Sequence, residues 1–157
     1  MIIIKNGDLF TSNCECLVNT VNCVGVMGKG IALQFKEKYP HMFTVYQTAC
    51  KTGQLSEGGD LWLFALSQYL PFGDLMFSNY PKILCFATKE HWKNPSKIEW
   101  IERGLKRLVD NFDKYKFKSI AFPKLGCNNG GLNYENQVKP LMIKYLSQLP
   151  CKVEIYE

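Results

Sequence analysis

The chain has 157 residues, 46% hydrophobic and 21% charged, values that give a globular domain a proper core and exclude an intrinsically disordered segment. No apolar run reaches transmembrane length. Nineteen Lys and Arg against fourteen Asp and Glu give a net charge of +5, which permits a polyanionic partner without requiring one.

Seven cysteines stand at Cys14, Cys16, Cys23, Cys50, Cys85, Cys127 and Cys151. Only Cys14 and Cys16 are close, and C-x-C without a second pair or clustered histidines makes a poor zinc site, so no metal is expected. Several lie in apolar runs, where a thiol acts as a small hydrophobe. The first residues lack a basic stretch followed by a long apolar one. Reduced thiols in a cytoplasmic protein are the expectation.

Residues 1–5 are a β-branched run closed by Asn6-Gly7-Asp8, a strand and its turn. The Asp8 carboxylate is suited to stabilising that turn. Residues 16–21 read as a buried strand. It feeds Asn22-Cys23-Val24-Gly25-Val26-Met27-Gly28-Lys29-Gly30, and an apolar run of helical period starts at Ile31. Glycines before a helix N-terminus let the backbone approach a phosphate and aim free N–H groups at it. The side-chain amides of Asn19 and Asn22 suit a neutral group such as a ribose hydroxyl. The stretch therefore reads as a strand–loop–helix for a nucleotide diphosphate. Its glycine spacing matches neither Gly-x-Gly-x-x-Gly nor a Walker A loop, and on glycine content alone a plain turn is the alternative.

Helices are expected over 31–39, stopped by Pro40, and over 41–52, with Met42, Val45, Tyr46 and Ala49 on one stripe and Gly53 as the stop. His41 reads as a surface residue without ligand partners. Residues 61–66 read as a strand and 68–74 as a loop, and 76–80 give no clear element. Residues 82–87, apolar and preceded by Pro81, read as a strand leading into Thr88-Lys89-Glu90-His91-Trp92. Ser96-Lys97-Ile98-Glu99 has the form of a capping box. Ile98, Ile101, Leu105, Leu108, Val109 and Phe112 follow at helical spacing. Lys89 thus lies at a strand end before a helix, where open α/β sheets hold ligands. Residues 119–122 form another strand, followed by a second glycine-rich loop from Pro123 to Leu132. A helix over 134–148, with Pro140 early, and a strand over 152–156 complete the pattern. The class is α/β with both sheet faces covered, and the two glycine-rich loops could enclose one diphosphate.

The run from Asn19 to Lys36, Asn-Thr-Val-Asn-Cys-Val-Gly-Val-Met-Gly-Lys-Gly-Ile-Ala-Leu-Gln-Phe-Lys, resembles the first ligand loop of macrodomains, the ADP-ribose-binding modules. It is similar to the branch that holds the DNA ADP-ribosyl glycohydrolase antitoxins and the terminal ADP-ribose protein glycohydrolases. The resemblance extends from Gly7-Asp8 to Tyr156. It implies one macrodomain over 1–157, a three-layer α/β/α fold with a mixed sheet of about six strands. It implies further that Asp8, with Leu9, takes the adenine amino group. Asn19, Gly28, Lys29, Gly30 and Ile31 would belong to the first ligand loop, and Asn22 would meet the distal ribose. Gly126, Cys127, Asn128, Asn129, Gly130, Gly131 and Leu132 would form the pyrophosphate loop. Thr88 would adjoin Lys89, and Tyr156 would cover the adenine. Lys89 and Asn22 are the expected catalytic residues.

Two roles are open to Lys89. A neutral amine can attack the anomeric carbon of the distal ribose, which requires a pKa well below ~10.4. A charged one can stabilise a departing base or carboxylate. The protein glycohydrolases pair this lysine with an aspartate in the second loop. Here Asn128-Asn129-Gly130-Gly131 carries no acid, which draws the chain toward the DNA antitoxins. Glu90 and His91 are read as facing away. Trp92, beside Lys89 and Lys93, is suited to stacking on an exposed base.

The function so implied is release of ADP-ribose from a nucleobase in DNA, thymine first and guanine second. Two alternatives stand beside it: hydrolysis of ADP-ribose esters on protein carboxylates, and a module that binds ADP-ribose without cutting. The expected partners are ADP-ribose, ADP-ribosylated DNA and a cognate ADP-ribosyltransferase toxin. No cofactor and no membrane are implied, and a monomer is expected.

Overall fold

The computed structural model describes residues 1–69 and 80–157. Its strands are β1 (Ile2–Lys5), β2 (Cys16–Val21), β3 (Leu61–Phe64), β4 (Lys82–Ala87), β5 (Ser119–Phe122) and β6 (Lys152–Tyr156). They join in the order β1-β6-β5-β2-β4-β3, all parallel except β3, which runs antiparallel to β4 at the sheet edge. This is the mixed six-stranded sheet expected from the sequence. The helices are α1 (Gly30–Lys38), α2 (Pro40–Lys51), α3 (Ile98–Asp110), α4 (Phe112–Tyr115) and α5 (Lys139–Leu146).

The strand period of two divides the core into two layers. Cys16, Val18, Leu84, Phe86, Ile120, Phe122, Val153 and Ile155 face α3 and α5, whose Ile101, Leu105, Leu108, Met142 and Leu146 cover them. Leu17, Val21, Ile83, Cys85 and Ala87 face the other way, onto Phe35 of α1 and Met42, Tyr46 and Ala49 of α2. Each fully buried Val, Leu, Ile, Phe or Met among them contributes about 1.5–3 kcal/mol relative to an exposed one.

Local signals fail where tertiary contacts compete. Pro40 does not merely stop α1; it is the first residue of α2, where its missing N–H removes no helical bond. The strand expected over 61–66 ends at Phe64, and Leu66–Gln68 is a 3₁₀ turn. Most of the loop expected over 68–74 and of the stretch 76–80 lies outside the described residues. Ser96 does not cap α3: Lys97 holds the cap position, without a side-chain bond. Ser96 is instead buried, its backbone N donating to the Gly130 carbonyl at 3.0 Å. The second glycine-rich loop has recruited it. Phe112 falls beyond a break at Asn111 and belongs to α4. The helix expected over 134–148 divides into a π turn, in which the Val138 N–H reaches the Asn133 carbonyl at 3.2 Å, and α5. Pro140 has no N–H to give and its ring crowds the preceding turn, so it stands in the first turn of α5, directly after the π turn. Among the described residues no helix is long and apolar enough to cross a membrane.

Candidate active site

Five parallel strands present their C-terminal ends on one edge of the sheet, and the connections leaving them enclose a cleft of about 910 Å³. Asp8 follows β1, Asn22 follows β2, Lys89 follows β4, the second glycine-rich loop follows β5, and Tyr156 closes β6; all reach the cleft. From β6 to β4 is three strand spacings of ~4.8 Å, so Tyr156 and Lys89 stand about 14 Å apart across the sheet.

The first loop is held by one amide. Asn22 Oδ1 accepts from the backbone N of Val24 at 3.0 Å and of Val26 at 3.4 Å, while Nδ2 donates to the Val26 carbonyl at 2.8 Å. The Tyr46 hydroxyl lies 2.8 Å from the Asn22 carbonyl and 2.9 Å from Oδ1 and donates its single hydrogen to that pair. Burial keeps this phenol protonated, far above its ordinary pKa. Asn22 therefore shapes the loop first, and one Nδ2 hydrogen is left for the cleft. Beyond it, α1 begins at Gly30 with no side-chain cap, so its leading N–H groups suit an anion. Gly30 has φ +58°, and a Cβ there would stand 2.8 Å from Asn129 Nδ2. Gly30 is the point where the two loops meet, and a side chain would part them.

The second loop is fastened by its own backbone. The Leu132 N–H donates to the Gly126 carbonyl at 3.1 Å. A Cβ on Gly130 would fall 2.3 Å from that same carbonyl oxygen and 2.4 Å from Ser96 Oγ. Gly130 is thus required by the loop's own closure, before any question of a ligand. Asn128 and Asn129 are exposed and line the cleft.

Lys89 is half-buried on the cleft wall. Its own N–H and that of Thr88 point to the Val21 carbonyl at 3.4 and 3.1 Å, which ties this strand end to the first loop. Its Nζ donates to the Trp92 carbonyl at 3.3 Å, and no carboxylate among the described residues pairs with it. Burial, and then the charge of Lys29, hold its pKa below the ordinary lysine value. Glu90 turns away, Oε2 accepting from the Gly58 N–H at 3.0 Å, and His91 Nδ1 accepts from the Lys93 N–H at 3.1 Å.

At the other end Asp8 Oδ1 accepts from the Phe10 N–H at 2.9 Å, capping the short turn Leu9–Thr11. The carboxylate is exposed to the cleft and keeps lone pairs for a second donor. Tyr156 is buried, and its hydroxyl donates to Glu154 Oε1 at 3.1 Å. Glu154 also meets Lys5 at 2.9 Å, Lys152 at 3.1 Å and the Ser12 hydroxyl at 2.7 Å. Burial alone would raise its pKa; these bonds outweigh burial and bring it to about 2.

Three residues named from the sequence are not on the cleft wall. Asn19 lies in β2 between Leu17 and Val21, so the strand alternation turns it into the apolar layer, where Nδ2 contacts Met27 Sδ at 3.7 Å. Gly131 and Leu132 end the second loop off the wall: Gly131 is exposed, and Leu132 packs on the α3 side of the core. Val26, Gln34, Lys124, Trp92, Lys93 and Glu157 do line the cleft, although the sequence reading assigned none of them to the ADP-ribose site. Val26 and Gln34 lie in the run from Asn19 to Lys36 and Lys124 in the second glycine-rich loop, and Trp92 and Lys93 are an aromatic and a cation beside Lys89; Glu157 carried no signal. Among the described residues no group of three or more His, Cys, Asp or Glu is placed to hold a metal ion.

Comparison with known proteins fits this geometry. The Macro domain family model matches residues 18–140. A protein of Mycobacterium tuberculosis named DNA ADP-ribosyl glycohydrolase is 46% identical over 151 residues, covering 96% of this chain and 40% of its own length. A Thermosipho africanus DNA ADP-ribosyl transferase–DNA ADP-ribosyl glycohydrolase fusion protein is 42% identical, over 96% of this chain and 40% of the fusion. The solved structure of Thermosipho africanus DarTG in complex with ADP-ribose superposes with a TM-score of 0.87 at 41% identity, covering 99% of this chain and 41% of that one. The chain spans about 40% of the length of these curated relatives.

Proposed function

Since the chain belongs to the Macro domain family, we propose that it is an ADP-ribosyl glycohydrolase that removes ADP-ribose from a nucleobase in DNA, thymine before guanine. The observation that carries this reading is Lys89: a half-buried amine of lowered pKa on the wall of the cleft, free of any carboxylate partner among the described residues. The names of the relatives support the substrate class. The acid-free second loop, with Asn128 and Asn129 at the cleft, argues against an acid-assisted attack on a protein ester.

The ligand runs along the strand ends. Asp8 accepts the adenine amino group, Tyr156 flanks the ring, and the α1 N-terminus and the second loop take the diphosphate between them. Asn22 holds the first loop in shape and offers its remaining amide hydrogen to the distal ribose. The reacting bond joins the anomeric carbon of that ribose to the base. It breaks with its electron pair leaving on the base. In the covalent route neutral Lys89 Nζ bonds to the anomeric carbon as the base leaves and takes up the proton that Nζ gives up; the ribose ring opens to an iminium, and water hydrolyses it to release ADP-ribose and the free amine. In the electrostatic route charged Lys89 steadies the departing base while water attacks. A cognate ADP-ribosyltransferase, of the kind fused to the Thermosipho relative, would supply the substrate.

The test is a side-by-side incubation with DNA carrying ADP-ribosylated thymidine, DNA carrying ADP-ribosylated guanosine, and an ADP-ribosylated glutamyl peptide. Fastest release from thymidine is expected. Release from the peptide alone would make the chain a protein hydrolase, and tight ADP-ribose binding with no release would make it a reader.

A further inference from the structure

Of the three tryptophans, Trp62 and Trp100 are 9% exposed and Trp92 is 48% exposed. A large indole left in water on a cleft wall marks a contact surface. Trp92 is also fixed in relation to the reaction, because its carbonyl is the acceptor of Lys89 Nζ at 3.3 Å. From the first loop Val26, 39% exposed, lines the same cleft, its carbonyl held by Asn22. Lys93 Nζ lies 5.2 Å over the Trp92 ring, and Lys29, close enough for its charge to act on Lys89, adds a further cation to the wall. The carboxylates that line the cleft, Asp8 and Glu157, follow β1 and β6, at the opposite end of the strand row from Lys89. The Lys89 end is therefore apolar, aromatic and cationic together, the surface that a base on a phosphodiester strand fits.

We propose that Trp92 is the stacking platform for the base that carries the ADP-ribose, with Lys93 neutralising the phosphate beside it. This rests on the DNA glycohydrolase reading and deepens it. Lys89 acts at the anomeric carbon, and the base is the next group along, so the base emerges from the cleft where the indole stands. An indole can stack only on a base whose face is free, so the modified nucleotide is single-stranded or extruded from its duplex. Trp92 is a specificity residue: it binds the leaving group's ring and takes no part in breaking the bond.

The experiment compares wild type, Trp92→Ala and Trp92→Phe on a single-stranded oligonucleotide with one ADP-ribosylated thymidine, alongside calorimetry with free ADP-ribose and a thermal melt of each variant. Trp92→Ala should raise KM roughly ten-fold, about 1.4 kcal/mol, with kcat within about two-fold. Trp92→Phe should recover most of that loss, because a phenyl ring still stacks. ADP-ribose affinity and melting temperature should not change. An unaltered KM in Trp92→Ala, or a parallel loss of ADP-ribose affinity, overturns the proposal. If wild type cleaves no modified DNA the glycohydrolase reading fails, and tryptophan fluorescence then decides this one. Quenching of Lys89→Ala by the modified strand, lost in Lys89→Ala/Trp92→Ala, supports stacking, and no quenching refutes it.

Discussion

At the β1/β6 end of the cleft, Glu154 is buried among Lys5, Lys152, Ser12 and Tyr156, and Asp8 already caps a turn. At the β4 end, Lys89 is half-buried with a single backbone acceptor at 3.3 Å. The two ends differ in how completely their polar groups are paired before any ligand arrives. Pairing fixes geometry, so under the proposed function the first end would take an adenosine at little cost in ordering. Leaving a half-buried amine without a carboxylate partner raises its free energy as a cation and lowers its pKa, which is what a nucleophile needs. Under the proposed function, a salt bridge that stabilised charged Lys89 would remove the chemistry assigned to it.

The largest break in this contrast comes from Lys89→Ala. It should lower cleavage by at least about 10²-fold, the scale of one transition-state contact, with ADP-ribose affinity within about two-fold. Lys89→Arg keeps the charge but is effectively never neutral, so substantial residual activity would point to electrostatic stabilisation and near-complete loss to a nucleophile. Under the covalent route kcat rises with pH through the lowered Lys89 pKa. Intact-protein mass spectrometry after substrate and borohydride should then show an adduct at Lys89.

Gly130→Val sits between the two ends and should act on fold and ligand together. Its Cβ meets the Gly126 carbonyl at 2.3 Å, so about 1–3 kcal/mol of overpacking strain and a lowered melting temperature should accompany weaker ADP-ribose binding. Unchanged stability would mean that the loop relaxes without harm. As part of a pyrophosphate loop, Gly130 would be expected to matter more for ligand binding than for folding. The structure sets the loop's own carbonyl against the added side chain.

Asp8→Asn sharpens the first end, because it keeps an oxygen for the Phe10 N–H while removing the charge. Affinity for ADP-ribose should fall by about 1–3 kcal/mol with the turn intact, measured by calorimetry; no change would leave Asp8 as a turn residue only.

Glu154 does not line the cleft and should affect cleavage least; its effect is on stability, full at neutral pH and lost in acid. Its folded pKa, about 2, lies below the ordinary 4.5. Its stabilising contribution is therefore present above about pH 4.5 and is lost as pH falls toward 2. Glu154→Gln should flatten the acid limb of melting temperature against pH, and an unchanged limb would show that the carboxylate does not govern it.

The sheet was legible because its signals are local and periodic: β2, β4 and β5 are short apolar runs, and α3 repeats its apolar stripe at helical spacing. The strand ends, and with them Asn22 and Lys89 at the cleft, follow from those runs and from the rule that open sheets bind at their C-terminal edge. What the sequence could not determine depends on contacts between distant residues. Asn19 and Asn22 look alike in Asn-Thr-Val-Asn, yet the alternation of β2 sends Asn19 into the core beside Met27, and only Asn22, past the strand end, reaches the cleft. Ser96 has the neighbours of a helix cap, but Gly130, 34 positions away, captures its backbone. Lys89 is one of many lysines by composition. Its burial and the proximity of Lys29 set its pKa, and both exist only once β2 and β4 lie side by side. Local pattern selects an element because it acts between near neighbours. Pairing, desolvation and proximity of charge act through space, so tertiary structure alone decides them.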